Sequence, residues 1–292
     1  MTPPVKLAVA VLGLAAVFGA ALGVGAAVGP LDAAPAAAEG HPGDGGHAEV
    51  GEIAAPAGLA VSDGGYALEL AADVLPAGPA IPLAFRITGP DGDAVTAFAV
   101  SHEQPLHLVA VRRDLSGYQH VHPALAADGT WTAPLALTPG SWRVLADFVP
   151  GADGEKRVLG ADLAVPGELT PAALPAPSRT AQIDGYTVTL AGDLRPGEES
   201  RLAFDVTRDG SPVTDLQPWL GAAGHLVVLR AGDLAYLHVH PTGEPGDGVT
   251  PAGPGITFAT TTPSPGSYRL FLDFRHGDVV RTAEFTVEVP RG

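Results

Sequence analysis

The chain reads as all-β: two tandem antiparallel β-sandwiches behind one apolar N-terminal helix. Three observations predict this. Short segments of alternating or β-branched pattern lie between Gly, Pro and Asp turn signals. The same series returns after about 120 residues, the length of a whole domain and too long for a solenoid or propeller unit. Helical periodicity is absent after residue 30.

The N-terminal element is an uninterrupted apolar run from Leu7 to Val28, preceded by Lys6 and ended by Gly29-Pro30. As a helix at 1.5 Å per residue it is about 33 Å long, enough for a hydrocarbon core of about 30 Å. Residues 1–30 are therefore a membrane anchor or, on the competing reading, a secretory signal cleaved near Ala36-Ala37-Ala38. The cation before the run and the acids after it place everything beyond Pro30 outside the cytoplasm. The protein is then either held in the cell membrane by one anchor or secreted. Residues 31–57, rich in Ala, Pro, Gly and acids, read as a flexible tether that carries His41 and His47.

The first sandwich is expected over 58–165, with strands near 66–72, 80–88, 105–112, 117–122, 130–136, 141–148 and 157–165. A Pro-rich linker, 166–182, separates it from the second sandwich, 183–290. Gly65-Tyr66 answers to Gly185-Tyr186, and Pro139-Gly140-Ser141-Trp142-Arg143 to Pro265-Gly266-Ser267-Tyr268-Arg269. Trp142, Val144, Ala146 and Phe148 share one strand face, as do Tyr268, Leu270, Leu272 and Phe274, and each set reads as a core face.

Composition excludes several functions. A formal charge of −16 repels polyanions, which rules out nucleic acid as a partner. With no cysteine and methionine only at position 1, there are no disulfides, thiolate sites or thioether ligands. Imidazole and carboxylate remain, and they suit Cu(II), Zn(II) or Ni(II). No phosphate loop, nucleophile elbow or carboxylate pair stands out, so no enzyme is expected.

The histidines carry the chemistry. In each copy a lone histidine stands thirteen positions before a His-Val-His-Pro tetrapeptide: His107 before His120 and His122, then His225 before His238 and His240. Alternate residues of a strand share a face, so each His-x-His is one imidazole pair, and the following proline places it at a strand end or edge. A tight turn at Asp114-Leu115 sets His107 across the ladder from His122, and Gly232-Asp233 does the same for His225 and His240. A register slip of one residue would undo either triad. Tyr118 and Tyr236 fall on the histidine face. Asp147 and Asp273, each flanked by apolar residues, need partners: a metal, a histidine to orient, or Arg143 and Arg269 four residues back. The competing account makes these residues fasteners of a turn. His102 and His276 have no counterpart and are expected to be exposed.

The stretch from His107 to Pro123, followed by Pro139 to Phe148, resembles a group of bacterial extracytoplasmic immunoglobulin-like β-sandwich proteins, mostly uncharacterised and often named for heavy-metal binding. The chain is also similar to immunoglobulin-like periplasmic copper-binding proteins, but it lacks their Met-rich loop and N-terminal histidine. The histidine pattern, together with this resemblance, leads to the expectation of extracytoplasmic binding of copper or zinc for buffering or delivery, with a membrane metal transporter as a candidate partner. The expected ligand sets are His107, His120, His122 and Asp147, and His225, His238, His240 and Asp273. The alternative is a structural or adhesive tandem module without metal.

Overall fold

The computed structural model of the chain describes residues 56–237 and 239–291, without the side chain of His240. The run Leu7 to Val28, most of the tether, and His238 lie outside the described residues. Among the described residues no helix is long and apolar enough to cross a membrane.

The fold is all-β. The first repeat holds β1 (Ser62–Asp63), β2 (Tyr66–Leu70), β3 (Gly78–Thr88), β4 (Leu106–Arg112), β5 (Gln119–Val121), β6 (Ala124–Leu125), β7 (Trp131–Leu137), β8 (Gly140–Phe148) and β9 (Arg157–Val165). All seven expected strands are present. One sheet runs β1-β2-β3-β7-β6 and the facing sheet β5-β4-β8-β9, antiparallel throughout. Strand β7 shows why the pattern was readable: its residues alternate between buried and exposed along their whole length.

The second repeat holds β10 (Thr180–Ile183), β11 (Tyr186–Ala191), β12 (Glu199–Arg208), β13 (Ser211–Pro212), β14 (His225–Arg230), β15 (Tyr236–Leu237), β16 (Val239–Pro241), β17 (Gly255–Thr261), β18 (Gly266–His276) and β19 (Val279–Val289). Its sheets run β10-β11-β12-β17-β16, with β13 on β12, and β15-β14-β18-β19. Strand β10 begins inside the segment expected to be linker, because Thr180 to Ile183 pair with β11.

Each repeat closes on its own core. Leu83, Phe85, Trp131, Trp142 and Phe148 anchor the first, and Phe204, Phe258, Leu270, Phe274 and Phe285 the second. A third cluster lies at the seam, where β4 and β8 meet β14 and β18: Val109, Val111, Leu115 and Leu145 pack with Val227, Leu229, Leu234 and Phe271. Six of the seven β4 residues are consequently buried, on both faces. Hydrophobic burial at about 25 cal/mol per Å² favours the docked pair of repeats.

The chain enters this seam at its N-terminal end. Ala57 bridges Tyr236, Gly58 N donates to Val158 O, and Arg143 donates to the carbonyls of Gly58 and Leu59.

Candidate metal centre

The His-Val-His-Pro segment crosses from one sheet to the other. In the first repeat β5 pairs with β4, and after Pro123 β6 joins β7 in the opposing sheet. In the second repeat β15 pairs with β14, while β16, carrying His240, joins β17. Proline donates no ladder bond, so it suits the point where the strand leaves its sheet.

The register of β4 on β5 sets Leu108 opposite Val121 and Val109 opposite His120, and the same register carried one step further puts His107 opposite His122. The turn closes with Leu115 N on Arg112 O and Arg112 N on Ser116 O. His107, His120 and His122 each offer a nitrogen, and these atoms lie within 4.8 Å of one another. Their ring centroids are 5.3, 5.0 and 5.1 Å apart.

The hydrogen-bond partners assign the tautomers. His107 Nε2 lies 3.0 Å from Ser101 O, which only accepts. His120 Nδ1 lies 2.9 Å from the Asp273 carboxylate. Both outer nitrogens therefore donate, and the inner pair, His107 Nδ1 and His120 Nε2, face each other at 3.1 Å. His122 Nε2 is buried without a hydrogen-bond partner. Burial pushes the His107 and His122 imidazoles down to about 4, which keeps them neutral at pH 7.

The carbonyl that orients His107 comes from a two-residue hairpin. Ser101 and Gln104 exchange backbone bonds while His102 and Glu103 both hold positive φ. Trp219 and Ala222 repeat this around Leu220 and Gly221, and Trp219 O sits 3.0 Å from His225 Nε2. Two side chains in the left-handed region cost about 1–2 kcal/mol each. Sequence reasoning missed this turn, whose only signal is Gly221 in the second copy. His102 is exposed, as expected, yet its ring reaches within 5.0 Å of His225. His276 is not exposed: it is half-buried between Tyr186 and Asp215.

The second copy contributes to the same space. The His225 ring lies 6.0 Å from His107 and 6.1 Å from His120, and Trp219 lies 6.1 Å from His122. His238 and the His240 side chain lie outside the described residues, so the second expected triad is represented by His225 alone.

Asp147 and Asp273 sit opposite His107 and His225 in their ladders, but both carboxylates reach across the seam. Asp273 accepts from His120, from Thr282 Oγ1 at 2.6 Å and from Tyr118 at 3.5 Å. Asp147 accepts from Lys156 at 3.1 Å and from Tyr236 at 3.3 Å. Of the three partners open to these aspartates, the arginines are not taken. Arg143 bonds Asp162 and the entering backbone, and Arg269 bonds Glu284 and Thr286. A cavity of ≈ 40 Å³ opens among His102, His107, His120, Asp147, Lys156 and His225.

A family model described as "Domain of unknown function (DUF8832)" matches residues 60–167 and again 181–291, one match per repeat. That description names no metal, so the heavy-metal naming expected from the resemblance finds no support in it. No curated protein matches the chain. Among solved structures, the Escherichia coli adhesin FdeC is 16% identical over 80% of this chain and 66% of its own, with a TM-score of 0.25. Salmonella alpha-2-macroglobulin is 16% identical over 80% and 15%, at 0.27. Invasin, a bacterial integrin-binding protein, is 15% identical over 77% and 40%, at 0.24. The chain thus spans less than two thirds of each of these structures, and likeness at this level leaves the function to be argued from the chain's own residues.

Proposed function

We propose that this chain, which belongs to the DUF8832 family, holds a divalent transition-metal ion, Cu(II) or Zn(II), on His107, His120 and His122. The observation that carries this reading is the 3.1 Å approach of His107 Nδ1 to His120 Nε2. With both outer nitrogens donating, two neutral rings face each other with lone pairs, which repel unless a cation lies beside them. A proton on the His107 ring serves poorly, because burial resists charging it. A metal ion serves well. Two nitrogens on one tetrahedral ion at 2.0–2.1 Å lie about 3.4 Å apart, and their ring centroids about 5 Å apart. His122 Nε2, buried without a hydrogen-bond partner, is free to give the third nitrogen.

The function is binding rather than catalysis, since the nearby carboxylates are engaged: Asp273 by His120 and Thr282, Asp147 by Lys156 and Tyr236. Copper or zinc buffering or delivery outside the cytoplasm, with a membrane metal transporter as recipient, rests further on the run Leu7 to Val28. Calorimetric titration with Cu(II) and Zn(II), against His107→Ala and His122→Ala, tests the site. The parent should bind one equivalent more than either variant, and equal binding by all three overturns the reading.

A second reading has its own observation. The His120–Asp273 and Tyr236–Asp147 contacts join the repeats without any ion, as a structural or adhesive tandem module requires. A parent that binds neither metal would leave this account standing.

A further inference from the structure

We infer that the second repeat completes and regulates the metal centre: Asp273 is a positioning residue for His120, and metal occupancy and docking of the two repeats reinforce each other. This rests on the metal-binding reading above.

All three nitrogen donors stand on the first repeat, yet the carboxylate that fixes the His120 tautomer stands on β18 of the second. The contact is enclosed, with the two side chains 6% and 5% exposed. Asp273 is itself aimed: Thr282 Oγ1 donates to Oδ1 at 2.6 Å, leaving Oδ2 for His120 and Tyr118. A carboxylate behind a ligating imidazole holds the ring in place and raises its basicity, and losing such a partner typically weakens metal affinity about 10–100-fold. His225 and Trp219, also from the second repeat, wall the same space.

The pseudo-equivalent carboxylate does not share this task. Asp147 forms an ion pair with Lys156, which already neutralises it. The two aspartates occupy matching places and have diverged: Asp273 serves an imidazole and Asp147 a lysine.

Linkage follows. If the docked arrangement of the repeats binds the ion more tightly than an undocked one, the ion must favour docking by the same factor. A metal centre confined to one sandwich would have no such effect on the seam.

The test uses the full chain with Zn(II) as probe. Affinity is measured by titration for the parent, Asp273→Asn, Thr282→Val and Asp147→Asn. Hydrogen exchange is followed at the seam strands β5 and β15 with and without Zn(II). Asp273→Asn should bind about 10–100-fold more weakly, Thr282→Val should weaken binding in the same direction, and Asp147→Asn should bind like the parent. Zn(II) should slow exchange at β15, on the repeat that carries none of the three donors His107, His120 and His122, and Asp273→Asn should abolish that slowing. If the parent binds but Asp273→Asn and Thr282→Val bind equally well, the positioning role is overturned while the triad reading survives. If Asp273→Asn does not fold, Thr282→Val and the exchange at β15 decide. A parent that binds no Zn(II) overturns both.

Discussion

Tyr118 of the first repeat lies flat on Phe271 of the second, with ring centroids 4.0 Å apart and planes within 4° of parallel. Offset aromatic pairs contribute about 0.5–1.5 kcal/mol beyond the area they bury. Here the pair also stations the Tyr118 hydroxyl against Asp273.

Phe271 is fully buried at the seam and belongs to neither sandwich core. Phe271→Ala should cost about 3–5 kcal/mol, taken from the docking of the repeats rather than from either sandwich. Chemical denaturation followed by fluorescence should then separate into two transitions where the parent shows one. A single shifted transition would mean that the repeats fold as one unit regardless of the seam.

The buried imidazoles set a pH dependence in the metal-free protein. His107 and His122 are held at about 4 and His225 at about 3, in each case mainly by burial, against about 6.5 in an unfolded chain. Below pH 6.5 the unfolded state binds protons that the folded state refuses, so stability falls as pH drops from about 6.5 toward 3 and is highest above that window. Denaturation midpoints at pH 7.5, 5.5 and 4.5 should decrease in that order. A flat profile would contradict the lowered values of His107, His122 and His225.

Gly160 is required by close approach. A Cβ there would lie 2.2 Å from Gly58 O and 2.6 Å from the Arg143 guanidinium. Gly160→Ala should cost about 1–3 kcal/mol, typical of forced overpacking, and lower the melting temperature by several degrees. The matching residue of the second repeat is Glu284, opposite Phe271 as Gly160 is opposite Leu145, so a side chain is accommodated where no strap passes. An unchanged melting temperature would show that the entering backbone is not held there.

Much of this arrangement was legible in the chain. Strands such as β7 were readable because their residues alternate between buried and exposed, and the β4–β5 register because the Asp114-Leu115 turn centres the hairpin. That register brought His107 to His122. The double burial of β4 and β8 had a signal too, in runs such as His107-Leu108-Val109-Ala110-Val111 that are apolar on both faces, but such runs do not say what covers the second face. The exchange of aspartates was illegible. Asp273 meets His120 across 153 positions of sequence through a docking of sheets that no local pattern encodes. The Arg143–Asp147 pair, one of the alternatives open in the sequence, is not made for the same reason: the strap of residues 57–60 takes that guanidinium.

That strap also decides how the molecule bears load. Ala57 is bridged to Tyr236 on the second repeat, while the next two carbonyls are gripped by Arg143 on the first. Tension applied to the chain ahead of Pro56 is therefore delivered to the line where the two repeats meet, before either hydrophobic core carries it. A pull at Pro56 would reach the Tyr236–Asp147 contact, and with it the wall of the histidine cluster, ahead of any strand in the interior of a sheet.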